Sequence, residues 1–186
     1  MRTLKKRFVL PLFLLVLAAL FFNSGWMAWV YPIGYKEEIR EQSKSYDIDP
    51  FLIASIIRVE TNFKPSKESR VGALGIMQLM PDTADWAIEQ GKLPEATLER
   101  IKHEPDTNIR IGTWYLRNLT DQFGDNRLAV MAAYNAGPGN VRKWMKEGTW
   151  DGTLENVRDI PIGETRHYVQ RVIYYYNQYT KVYETF

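Results

Sequence analysis

The 186-residue chain carries a formal net charge of +2, and four of its positive charges, Arg2, Lys5, Lys6 and Arg7, stand at its start, which leaves the rest at −2. A body so near neutral lacks the clustered Lys and Arg that grip phosphates, which argues against nucleic acid as a partner. Cysteine is absent, which excludes disulfides, thiolate metal sites and a cysteine nucleophile. His103 and His167 lack the His-Glu-x-x-His spacing of a zinc protease, and there is no Gly-x-Ser-x-Gly elbow or Ser-x-x-Lys pair. The expectation is a chain without metal or cofactor.

Residues 8 to 22, FVLPLFLLVLAALFF, are apolar without interruption and follow the basic cluster. They give about 22 Å of helix, short of a bilayer core of roughly 30 Å. Continuing through Trp26, Met27, Ala28, Trp29, Val30 and Tyr31 supplies the length and places aromatics at the outer interface. Either an uncleaved signal-anchor or a removed signal peptide fits. Phe22 is bulky where a cleavage site after Ser24 wants a small residue, which favours the anchor. In both cases the basic end stays in the cytoplasm and the remainder is exported; the anchored form would be single-pass, and the cleaved form secreted.

Tyr35 to Tyr46 reads as a charged amphipathic helix that spaces the domain from the membrane. The expected organisation is therefore an N-terminal segment over 1–34, a spacer helix over 35–48 and one domain over 49–186. The next helix is predicted over 50–62, with Asp49 as cap and Pro50 in its first turn. It sets Leu52, Ile53, Ile56, Ile57 and Glu60 on one face. A carboxylate on such a face must find a donor or hold its proton with a raised pKa, and either suits general-acid chemistry. Pro65 should end the helix by Lys64. The glycine turn Gly72 to Gly75 then leads into Ile76-Met77-Gln78-Leu79-Met80, where backbone can approach a ligand closely.

Pro81 opens a helix carrying Trp86 and Ile88, and the polar stretch from Gly91 to Pro105 reads as a surface excursion that leaves His103 solvated. From Asp106, Ile109, Gly112, Leu116, Leu119 and Phe123 fall at helical spacing, with Gly112 marking a close crossing with another helix. A helix over 127–135 runs into the turn Ala136-Gly137-Pro138-Gly139. A short helix around Val141 to Met145, a loose region from Gly148 to Pro161 and a last helix from Gly163 follow, the last with Val169, Val172, Ile173 and Tyr176 as its core stripe and Tyr168 off it. No segment alternates, so the class is all-α.

With these elements in place, four motifs carry a resemblance. Glu60-Thr61, Gly75-Ile76-Met77-Gln78, Ala133-Tyr134-Asn135-Ala136-Gly137, and Pro161 with Glu164-Thr165-Arg166 and Tyr168-Val169 occur in the order found in lytic transglycosylases of the soluble-lytic-transglycosylase (SLT) type. The match covers about Tyr46 to Tyr179. It implies a lysozyme-like, goose-type α fold acting on peptidoglycan. Thr61 stands where the family usually has serine, Ile76 where it has leucine, and Ile162 where an aromatic is common. A literal Glu-Ser occurs at Glu68-Ser69, but it lies in a polar, cation-rich run 7 residues before Gly75, against 15 for Glu60.

The resemblance implies Glu60 as the catalytic acid, with Thr61, Gln78, Met80, Tyr134, Asn135 and Glu164 at the substrate. Most glycosidases use two carboxylates. This family implies one, which protonates the leaving oxygen and then, as carboxylate, takes the proton of the muramic acid C6 hydroxyl. The product is a 1,6-anhydro sugar. The expected partners are peptidoglycan glycan strands and, through the N-terminal helix, the cytoplasmic membrane. A hydrolytic muramidase of the same fold and a glycan-binding or scaffold protein without turnover stand as alternatives.

Overall fold

The computed structural model describes residues 3–22, 25–65 and 68–186. Arg2 of the basic cluster, Asn23 and Ser24 of the cleavage-site reading, and Ser66 and Lys67 of the polar run lie outside the described residues. Among those described, the regular structure is helical; the only β pairings are isolated bridges, Glu68 with Leu74 and Leu74 with Leu79.

Helix α1 (Thr3–Phe22) and the short α2 (Gly25–Val30) lead into the body. Side chains from Phe8 to Leu17 on α1 are all exposed, with Leu15 at 68%. No helix among the described residues is long and apolar enough to cross a membrane, so the expected span is not shown. The physical reason is the length: Lys5, Lys6 and Arg7 fall inside α1 and leave only the stretch after them apolar.

Helix α3 (Lys36–Tyr46) is not a spacer. Ile39 is fully buried and Gln42 nearly so, and the helix packs on α4 (Pro50–Glu60) and α7 (Pro105–Phe123). A single apolar side chain in a charged helix was too faint a stripe to read.

Helix α4 is the core element. Asp49 caps it, its Oδ1 accepting from Phe51 N at 2.9 Å, and Ile53, Ala54, Ile56 and Ile57 are wholly buried. The helix stops at Glu60, short of the expected 62, because Asn62 and Phe63 turn left-handed, with Asn62 N donating back to Ile57 O at 3.1 Å. Helix α10 (Gly163–Val182) packs along it and ties both ends. Tyr176 donates to Asp49 Oδ2 at 2.7 Å at one end, and Arg171 donates to Val59 O at 3.4 Å at the other.

The remaining helices close around this pair. Helix α5 (Pro81–Gly91) and α6 (Leu98–His103) pack on α7, and α8 (Arg127–Ala136) joins α7, α9 (Pro138–Lys146) and α10. The stretch 91–105 is no mere excursion: Leu93, Ala96 and Ile101 are buried, and it holds α6. His103, half-exposed there, sits 3.2 Å from Glu99. Gly112 is indeed a close-approach position, but what fills its space is the thioether of Met77 rather than another helix; a Cβ there would collide with Sδ. On α10 the buried stripe is Thr165, Tyr168, Val169, Val172 and Tyr179, so Tyr168 belongs to the core side after all.

Candidate active site

The site is built where α4 ends. Thr61, the residue after Glu60, is buried and its hydroxyl donates to Ile76 O at 2.7 Å, which bolts the end of α4 to the turn after Gly75. That turn is closed by reciprocal hydrogen bonds between Leu74 and Leu79, 2.8 and 3.0 Å. Behind it lies Asn108 of α7, fully buried. Its Oδ1 accepts from Met77 N at 2.8 Å, and its Nδ2 donates to Leu74 O at 3.0 Å and Ile101 O at 2.9 Å. Every polar position of this amide is therefore used in place of backbone partners the loop lacks. Gly75 has φ +70°, and a Cβ on it would strike Asn108 Nδ2 and Ile101 O, so only glycine fits. Gln78 is also left-handed (φ 52°), and its Nε2 donates to Gly75 O at 2.7 Å.

Glu60 is half-buried and lines a cleft of about 230 Å³. Two phenols stand against it. Tyr134 donates to Met77 O at 2.9 Å, so its proton goes to the turn rather than to the acid. Burial first, and then the charge of Glu60, push its pKa well above the ordinary tyrosine value. Tyr168 is shifted in the same direction by burial, then by Glu60 and Tyr134, with Arg171 opposing. Its hydroxyl is buried without a hydrogen bond of ordinary geometry, although Glu60 is close enough to act on it. Both phenols stay protonated at neutral pH. Tyr115, whose pKa burial raises to about 12, packs on Tyr134 with ring centroids 5.6 Å apart.

The other wall is more open. Met80, 44% exposed, and Ser69 and Val71 border the cleft from the loop, and Glu164 borders it from the first turn of α10, where the helix dipole favours a carboxylate. Asn135 lines the cleft and accepts from Thr165 Oγ1 at 2.7 Å through Oδ1, an orientation that keeps its NH₂ for other partners.

The structure thus brings Glu60, Gln78, Met80, Tyr134, Asn135 and Glu164 to one cleft. Thr61 does not line it. Its expected substrate contact gives way to the bond with Ile76, because the hydroxyl points back into the domain. Glu68, the glutamate of the literal Glu-Ser pair, is exposed and lies 2.6 Å from Lys102 Nζ, outside the cleft.

Residues 37–156 match the family profile described as the Transglycosylase SLT domain. The chain belongs to this family. Similar proteins include the soluble lytic murein transglycosylase of Salmonella typhimurium, 39% identical over 148 residues that cover 78% of this chain and 23% of that one. Membrane-bound lytic murein transglycosylase C of Haemophilus ducreyi is 36% identical over 118 residues, 59% of this chain and 32% of that one. Among solved structures, the 70 kDa soluble lytic transglycosylase of Escherichia coli superposes with a TM-score of 0.77 at 35% identity, covering 83% of this chain and 25% of that chain. The chain spans roughly a quarter of the length of the soluble relatives it matches.

Two residues that build the cleft of this SLT domain, Asn108 and Tyr115, were not singled out from sequence, and Tyr168 was quoted in a motif without a role in the site. Asn108 had a signal of a kind, an amide amid the apolar positions of α7, next to Ile109. Tyr115 had none, since a tyrosine at the edge of a helix stripe reads equally as surface or core; the motif that contains Tyr168 marked it, but its helical register did not.

Proposed function

We propose that this chain is a peptidoglycan lytic transglycosylase acting on the β-1,4 bond between N-acetylmuramic acid and N-acetylglucosamine. The observation that carries the reading is Glu60, half-buried at the end of α4, opening onto a cleft beside two protonated phenols. The acid faces the cleft with the protonated Tyr168 hydroxyl close enough to act on its carboxylate, so one group serves both halves of the reaction. In the first half the bond from C1 to the leaving oxygen breaks and that oxygen takes the Glu60 proton. In the second, the C6 hydroxyl gives its proton back to Glu60 while its oxygen bonds to C1, which closes the 1,6-anhydro ring. No water is consumed and the enzyme returns to its starting state.

The polar groups of Gln78 and Asn135 border the cleft where sugar hydroxyls or N-acetyl carbonyls would lie, and Met80 supplies an apolar edge. The test is mass spectrometry of peptidoglycan digested by wild type and by Glu60→Gln. Anhydromuramoyl ends are expected from wild type, with a loss of about a thousandfold or more in the variant, the scale of a removed general acid. Hydrated reducing ends throughout would make the chain a muramidase; release of no fragments by wild type would leave a binding protein.

The same reading includes attachment to the cytoplasmic membrane, with the catalytic domain outside. The support is the uninterrupted apolar run of residues 8 to 22 behind a basic flank, whose large side chains from Phe8 to Leu17 are solvent-exposed and so lack a protein partner. Full-length chain is expected to sediment with membranes and resist alkaline carbonate. Recovery in the soluble fraction would remove this part of the proposal and leave the chemistry untouched.

A further inference from the structure

The short helix α2 is fastened to the domain by tyrosines. Tyr183, just past the end of α10, donates to Tyr31 O at 2.9 Å with Ala28 O at 3.4 Å from the same hydroxyl, and the hydroxyls of Tyr31 and Tyr174 share a hydrogen bond of 2.8 Å. The residues that follow have no slack. Pro32 fixes its own backbone, Ile33 is buried in the core, and a Cβ on Gly34 would lie 3.3 Å from Phe63. Lys36 then stands over the Tyr183 ring, 4.6 Å from its centroid. This bracket holds the outward face of α2 in one orientation. Trp26, Trp29 and Val30 share that face by helical spacing. Trp29 is 86% exposed, and Trp26, Val30 and the neighbouring Tyr174 are exposed too.

We infer that this face seats the domain on a lipid bilayer, with Trp26 and Trp29 in the headgroup layer and α10 holding the cleft at a set height above it. The inference rests on the reading that the chain is attached to a membrane through α1. Continuity with α1 names the occupant: the apolar run of residues 8 to 22 ends just before α2 begins at Gly25. About 22 Å of apolar helix falls short of a core of roughly 30 Å, so such a helix depends on interfacial side chains beside it. Tryptophan and tyrosine, each an apolar body with a polar edge, are the residues that collect at that level. Charge adds little, since Lys36 is engaged by Tyr183 and is followed by Glu37 and Glu38. Tyr183 and Glu164 lie at opposite ends of α10, about 28 Å apart along its axis. The bracket thus limits how far the cleft stands from the bilayer, which a flexible tether would not do.

The experiment reconstitutes the full-length chain in phosphatidylcholine vesicles whose acyl chains carry bromine either just below the headgroups or near the bilayer centre, and reads tryptophan emission. Shallow bromine is expected to quench more than deep bromine. Trp29→Phe, at an exposed position, is expected to remove about half of the shallow quenching, Trp26 supplying the rest. The same result is expected when phosphatidylglycerol replaces part of the lipid; quenching confined to the anionic vesicles would overturn the aromatic seat. For the height, the absence of cysteine lets Ile162→Cys carry a single dye at the far end of α10, read by energy transfer to a headgroup dye. A short Gly-Ser insertion between Val30 and Tyr31 is expected to lower that transfer and spread its values. Vesicle-bound chain in which Trp29→Phe leaves shallow quenching unchanged, or in which the insertion leaves transfer unchanged, would overturn the seating while attachment through α1 stood. Chain that fails to bind vesicles would overturn both, and anhydro ends made by the same preparation keep the chemistry apart from either failure.

Discussion

Glu60 and Glu164 face the same cleft from the end of one helix and the start of another, in surroundings that have little in common. Around Glu60 the wall is made of core: α4 behind it is buried from Leu52 to Ile57, Tyr134 and Tyr168 flank it, and the turn beneath is held by Asn108. Around Glu164 the wall is made of surface, with Ile162 at 41% exposure and Met80 at 44%. A charge on the inner wall interacts at short range through a low dielectric, whereas one at the rim is screened by water. The cleft therefore has a rigid side where a proton can be held and a wet side where a strand can be guided. The resemblance gives the two carboxylates different roles, and burial supplies a physical difference between them: Glu60 is half-buried and Glu164 exposed.

The most forceful way to break this contrast short of removing Glu60 is to loosen the inner wall from behind. Asn108→Ala deletes three hydrogen bonds to Met77 N, Leu74 O and Ile101 O and leaves these groups in a dry interior. Each orphaned group costs about 1 kcal/mol or more, so a loss of about 3 kcal/mol is expected, measured by denaturant unfolding. Turnover at a temperature where the variant is still folded should fall too, because Tyr134 and Thr61 both anchor to carbonyls of the turn that Asn108 holds. A stable variant with full activity would mean that the Gly75 turn supports itself and that the inner wall is not built as described.

Much of this arrangement was legible, and its limits have physical causes. Helix α4 could be read because its cap, its proline and its apolar spacing agree, and Glu60 took its place from that register. The four motifs lie far apart in the chain, yet six of the seven residues the resemblance implies for the site meet at one cleft, since helix termini converge there. What escaped was side-chain direction and long-range polar pairing. Thr61 follows the acid as the resemblance expects, but its register turns the hydroxyl inward. Asn108 reaches groups 31 and 34 residues earlier in the chain, a relation no local pattern encodes. Helix α3 and the stretch 91–105 bury so few apolar side chains each that their periodicity stayed below the surrounding charge. Tyr168 was set off the stripe of α10 because that helix buries a wider arc than the four positions chosen to define it.

The rim supplies the smallest effect and the sharpest discrimination. Glu164→Gln keeps the shape and first-turn position of an exposed side chain, so stability is expected to change by no more than about 0.5 kcal/mol. A solvent-screened carboxylate contributes at most about 1 kcal/mol to holding a strand, which corresponds to a rise in KM of roughly threefold to fivefold with kcat unchanged. Steady-state kinetics on intact strands measures both. Should kcat instead collapse by as much as in Glu60→Gln, the rim carboxylate would be acting on the reacting atoms. Two catalytic carboxylates would then face each other across the cleft, the arrangement of a hydrolase, and the products would have to carry hydrated rather than anhydro ends. The kinetic split at Glu164 and the chemistry of the product ends must therefore agree, and a disagreement between them would show that burial alone does not decide which carboxylate handles the proton.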